Sequence, residues 1–172
     1  AIVSSTDAAA VFAILANVKL PQRVARTIEL ESGMNDPVAV ILTVAMTANM
    51  LGGDFYGEEV TAGSLVPLVV QQLAIGVACG GAIGWAGKKL LVTMPLASPA
   101  LYPVLTLSFG MVAYGLPTVL EGSGFISVYL AGILIGNAKT PFARQTERFH
   151  DSLAWLSQVS VFLMLGLLVF PT

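Results

Sequence analysis

The stretch ELESGMNDPVAVILTV, residues 29–44, is apolar enough over its second half to enter a membrane, yet it carries Glu31 and Asp36. A second stretch, TDAAAVFAIL at residues 6–15, has the same contradiction in Asp7. An ionisable group at membrane depth costs several kcal/mol unless it faces a partner or a water-filled cavity, so each of these carboxylates needs a reason to be there.

The rest of the chain says that the surroundings are indeed apolar. Of its 172 residues 56% are hydrophobic and 10% charged, and the mean hydropathy is +0.83. A soluble domain carries roughly 25% charged residues. The apolar residues come in long blocks rather than amphipathic stripes, which indicates an integral membrane protein whose main partner is the lipid bilayer. A net charge of -2 and the lack of a basic patch give no reason to expect nucleic acid as a partner. The lone Cys79 lies in an apolar block and reads as a packing residue. With no initiator Met and no charged leader, the chain reads as a fragment of a larger membrane domain.

Six apolar segments are expected, at about 1–18, 33–51, 64–86, 100–120, 123–138 and 153–170, giving an all-α membrane protein. The charges test this map. All eight Lys and Arg fall between segments one and two, three and four, or five and six. The intervening connections carry Asp54, Glu58, Glu59 and Glu121 instead. By the positive-inside rule the basic loops 19–30, 87–99 and 139–152 face the cytoplasm. The last of these mixes charge with Phe142, Phe149 and Trp155 and reads as an interfacial amphipathic helix, with His150 a solvated member of it. Gly76, Gly80 and Gly84, and likewise Gly132 and Gly136, recur every four residues and predict helices in close contact within the molecule.

Within segment two, Ser32 and Asp36 are four apart and share a helix face; Glu31 and Asn35 share the adjacent one. Pro37 lacks an N–H, which frees the carbonyl of Gly33. The resulting oxygen set suits a hard cation rather than zinc. Segment one holds SSTD, residues 4–7, directly before a strong helix former, so Thr6 or Asp7 is placed as an N-cap in mid-membrane. That implies a discontinuous helix, and unwound backbone at such depth lines a cavity or is buried in protein. Broken helices near the midplane are where secondary transporters bind ions. The bland alternative, a packing kink with hydroxyls bonded back to their own helix, accounts for the Ser and Thr but not for the Asp. A buried carboxylate holds either a proton or a cation, desolvation favouring the first and a nearby positive charge the second.

Four stretches, SSTDAAAVF, ESGMNDPVAV, YLAGILIGN and LAWLSQVSVFLMLGLLVFP, closely resemble the bacterial monovalent cation:proton antiporters of the NhaP-like branch. The resemblance runs over nearly the whole chain, and its paired Thr-Asp and Asn-Asp signatures are the specific part. It implies a partial sodium/hydrogen exchanger transmembrane domain over residues 1–172, an inverted-repeat fold, a homodimer of the full-length protein, and a place in the bacterial cytoplasmic membrane. It implies that Asp36 is the main cation and proton carrier, and that Asp7, Ser32 and the Thr6 backbone carbonyl help hold potassium or sodium. Asn35 stands where electrogenic relatives have a further Asp, which implies electroneutral exchange. Glu31 matches a structural acid whose Arg partner would lie beyond Thr172. No cofactor is implied besides the transported ions, and no enzyme activity; the fragment alone is expected not to transport. Three other readings were weighed: an intramembrane aspartyl protease with Asp7 and Asp36 as its dyad, for which no Gly-x-Gly-Asp stretch is present, a passive channel, and a non-transporting membrane assembly module.

Overall fold

The computed structural model describes residues 21–50, 65–94, 96–138, 140 and 142–168. Among these there are five helices and no strand: α1 (Gln22–Met50), α2 (Leu65–Thr93), α3 (Leu101–Val119), α4 (Gly124–Gly136) and α5 (Ala143–Leu168). The first apolar segment, 1–18, with its expected discontinuity, lies outside the described residues.

Helices α3 and α4 fall where segments four and five are expected. The others run further at their basic ends, which corrects the expectation of loops at 19–30, 87–99 and 139–152. Helix α1 begins directly after Pro21, whose carbonyl accepts from the Val24 and Ala25 amides. No Gly or Pro interrupts residues 22–32, and Arg, Glu and Gln are good helix formers. Helix α2 carries Lys88 and Lys89 inside it and ends just ahead of Pro95, which disfavours helix in the residue before it. In α5 the polar stretch from Ala143 is continuous with the apolar one, so a separate interfacial helix is not formed. Pro67 and Pro103 sit in the first turns of α2 and α3, where the missing N–H has no intrahelical acceptor to lose.

The centre of the molecule is the contact between α2 and α4. A Cβ added at Gly76 would lie 2.7 Å from the Ser123 carbonyl, at Gly80 2.5 Å from the Ser127 carbonyl, and at Gly84 2.8 Å from Ala131 Cα. At Gly87 it would meet Ile135 Cδ1 at 2.9 Å. Residue numbers rise together along both helices, so α2 and α4 are parallel, joined through the antiparallel α3. Four glycines at spacings of four, four and three give α2 a smooth stripe on which the α4 backbone lies directly. The predicted packing role of Gly76, Gly80 and Gly84 is therefore found. Gly132 and Gly136 differ: a Cβ there meets nothing within 4 Å.

The α3–α4 corner is tight. Glu121 has φ 59, the Gly122 amide bonds the Pro117 carbonyl at 2.7 Å, and the Glu121 amide bonds the Thr118 carbonyl at 3.3 Å. This is a Schellman ending with a glutamate at the position that glycine usually takes. Ser123 then opens α4; its amide donates to the Gln72 carbonyl (3.0 Å). Tyr114 meets Phe125 edge-on at 5.5 Å across the corner.

Much of what is buried is small, such as Ala113, Ala131, Ser127 and the packing glycines, with Leu91, Tyr102 and Gln72 as larger exceptions. The large apolar side chains point outward, including Trp155, Phe162, Leu163 and Leu168 of α5. That inversion suits lipid as solvent. Helices α2, α3 and α5 are each long and apolar enough to cross a bilayer, and α4 is a shorter apolar helix. The chain is a multi-pass membrane protein.

Candidate ion-binding site

Helix α1 carries the polar set that the sequence singles out. It runs without interruption from Gln22 to Met50, through Pro37. Asp36 stands 14 residues from either end, about 21 Å at the α-helical rise. The expected segment 33–51 holds Asp36 within its span and Glu31 at the cytoplasmic entry; the helix starts earlier, at Gln22. Ser32 and Asp36 are one turn apart on that backbone, as are Glu31 and Asn35. Asn35 is half-buried and Glu31 exposed. The side chains of Ser32 and Asp36 lie outside the described ones, and Thr6 and Asp7 lie outside the described residues altogether.

Beyond Pro37 the helix becomes apolar, and its threonines turn their hydroxyls back onto their own carbonyls. Thr43 Oγ1 donates to the Ala39 carbonyl (2.7 Å) and Thr47 Oγ1 to the Thr43 carbonyl (2.8 Å). Such back-bonding satisfies a hydroxyl without a neighbouring helix. It leaves these threonines as poor ligands. Among the described residues no three His, Cys, Asp or Glu side chains come together as a metal cluster.

Helix α1 touches α2 and α4 far less than those two touch each other. Among the α1 side chains described, Ala39 is the buried one. The polar turn is thus carried on an element set against a body that the α2 glycines hold rigidly together.

One feature escaped the sequence reading. A cavity of about 410 Å³ opens between α3, α4 and the first turns of α5, with Thr106, Gly110, Gly132, Gly136, Glu147 and His150 in its wall. His150 is part-buried, not solvated, with Nδ1 3.1 Å from the Thr146 carbonyl. The signal was there in Gly132 and Gly136, which the spacing assigned to a helix contact when the described residues leave them open.

The family model described as "Sodium/hydrogen exchanger, transmembrane" matches residues 1–172. A K(+)/H(+) antiporter NhaP of Alkalimonas amylolytica is 42% identical over the whole chain, and a K(+)/H(+) antiporter NhaP2 of Shewanella oneidensis 41%. A Na(+)/H(+) antiporter ApNhaP of Aphanothece halophytica is 30% identical over 96% of the chain. The chain spans 29% of the length of the first two and 32% of the third. No solved structure matches it.

Proposed function

Because the chain belongs to the sodium/hydrogen exchanger family, we propose that it is the ion-handling part of a secondary antiporter that exchanges a monovalent cation, K+ or Na+, for H+ across the bacterial cytoplasmic membrane. The single observation that carries the site is the place of Asp36: mid-helix on α1, one turn from Ser32, in a family whose named members here move cations against protons.

In this reading the Asp36 carboxylate takes up either a proton or the cation, and the two compete for one charge. Ser32, Asp7 and the backbone carbonyl of Thr6 supply further oxygens, which suits a hard monovalent ion. Asn35 gives a neutral hydrogen-bonding neighbour where a second carboxylate would add a charge, so the exchange is one for one and electroneutral. Glu31, one turn before Asn35 and exposed among these helices, is a brace that pairs with a basic group of the longer chain. Access alternates as the α1 element shifts against the α2–α3–α4 body. The sparse contact between them and the close glycine packing within the latter support that division. The full-length protein works as a homodimer, with the basic ends of α1, α2 and α5 toward the cytoplasm, and these 172 residues alone do not transport.

The test is proton flux in inverted vesicles bearing the full-length protein. Asp36→Asn is expected to abolish proton movement driven by added K+ or Na+ while the protein remains in the membrane at normal amount. Wild-type exchange by that variant would remove Asp36 from the mechanism.

A further inference from the structure

The parallel pair α2 and α4 do not end together. Gly87 lies level with Ile135 and with Phe109 of α3. Helix α4 stops at Gly136, whereas α2 continues to Thr93 and α3 extends back to Leu101. Those overhangs are about 9 Å and 12 Å at the α-helical rise. With only 13 residues, α4 covers about 20 Å, less than the roughly 30 Å of a bilayer core. Its end is therefore recessed between its neighbours.

The described residues of the connection that leaves this recess, Asn137, Ala138, Thr140 and Phe142, are not helical. Phe142 has φ 60 and packs its ring, tilted by 50°, against Tyr102 at 5.6 Å, so the connection runs beside the start of α3 before α5 begins. Non-helical backbone at membrane depth is tolerated where protein covers it or water fills the space beside it. The cavity at this place is lined mainly by apolar groups: Val128, Ala131, Ile135 and the bare backbones of Gly110, Gly132 and Gly136. Added Cβ atoms at all three glycines meet nothing. On the adjacent face, a Cβ added at the α2 glycines would meet Ser123, Ser127, Ala131 and Ile135 at 2.5–2.9 Å. Helix α4 thus has one small-residue contact filled and one empty, and the relatives have more than twice as much chain again outside the matched region.

We propose that this cavity receives a transmembrane segment from the part of the full-length protein outside these 172 residues. That segment sets bulky apolar side chains over Gly132 and Gly136. It brings a hydrogen-bond donor or a cation to Glu147, which has no ion pair among the described residues and shares the cavity wall with His150. The apolar lining favours a protein segment over water, and the glycine floor favours a helix, which needs close backbone approach, over a lipid chain, which does not.

The test uses the full-length protein in membranes, with the photo-crosslinker p-benzoylphenylalanine in place of Thr146 on the cavity rim. The expected product is a crosslink within one subunit to a peptide outside the 172 residues, mapped by mass spectrometry. A lipid adduct, a crosslink to a second subunit, or no crosslink at all overturns the proposal. A second measurement does not depend on that probe. Gly132→Leu and Gly136→Leu are expected to lower the thermal midpoint of the full-length protein by several degrees, whereas Gly115→Leu and Gly166→Leu, which also meet open space but lie outside the cavity, are not. Equal effects of all four overturn the proposal.

Discussion

Two neighbouring glycines of α2 should respond to alanine with opposite sign. A Cβ at Gly80 would lie 2.5 Å from the Ser127 carbonyl oxygen, 2.7 Å from its Cα and 3.0 Å from its carbonyl carbon. All three are backbone atoms of α4, so no side chain can rotate away. Carbon atoms pack best at roughly 3.5–4.0 Å, so α2 and α4 must separate by about 1 Å at this point. The same motion opens the contacts at Gly76, Gly84 and Gly87, and a gap of that size forfeits about a quarter to a half of each dispersion well. Forced overpacking of this kind costs about 1–3 kcal/mol. At Gly81 the nearest atom is Leu130 Cδ2 at 3.9 Å, an ordinary contact. There alanine only removes the backbone freedom of glycine in a helix, a gain of roughly 0.5–1 kcal/mol. The assay is the thermal midpoint of the purified full-length protein in detergent, followed by intrinsic fluorescence. Gly80→Ala should fall below wild type and Gly81→Ala should match or exceed it. If both variants move the midpoint alike, the close parallel approach of α2 and α4 is wrong.

Other expectations concern single groups. Glu121→Gly should stabilise the protein by about 1 kcal/mol in the same thermal assay, because glycine accepts φ 59 without strain and removes an anion from the C-terminal end of the α3 dipole; a loss of stability would give Glu121 a compensating contact in the full-length protein. Ser127→Ala should be neutral or stabilising by about 1 kcal/mol, since the Ser127 hydroxyl is wholly buried with no hydrogen-bond partner among the described residues; marked destabilisation would mean that the hydroxyl is satisfied. Exchange in proteoliposomes should be insensitive to membrane potential, and a current that reverses with imposed voltage would contradict the electroneutral role given to Asn35. Glu31→Ala should reduce the amount of folded protein more than the ion affinity of what remains, and the opposite outcome would make Glu31 a ligand.

The helical architecture was legible because lipid imposes a simple rule: apolar blocks of sufficient length must be helices, and the charges between them mark their ends. Leu101–Val119 and Gly124–Gly136 lie within a residue or two of where that rule places them. The rule failed where it used charge as a sign of loop. Arg23, Lys88, Lys89, Arg144 and Arg148 all sit on helices that outrun the apolar block, because nothing in their stretches breaks a helix. The stripe of Gly76, Gly80 and Gly84 was legible as a contact, but spacing alone could not distinguish a filled stripe from an empty one. Gly132 and Gly136 have the same spacing, yet an added Cβ there meets nothing within 4 Å among the described residues, because they lie one residue round the helix from the face that α2 covers.

The length of α1 bears on its polar turn. Ser32, Asn35 and Asp36 were read from local spacing, and the uninterrupted helix keeps that spacing with Asp36 at its middle. Asp36 stands where the polar first half of α1 meets the apolar half beyond Pro37, so access from the apolar side needs a movement or a cavity. The helices around it offer a means of movement. Helix α4 lies directly on α2 at the glycine stripe, whereas α1 touches both far less among the described residues. If a shift is to expose Asp36 first to one side and then to the other, the seam beside α1 resists it least. A variant with bulk at the buried position of α1, Ala39→Leu, should then slow exchange while leaving the α2–α4 contact unchanged. Unaltered exchange with bulk at position 39 would place the moving boundary elsewhere.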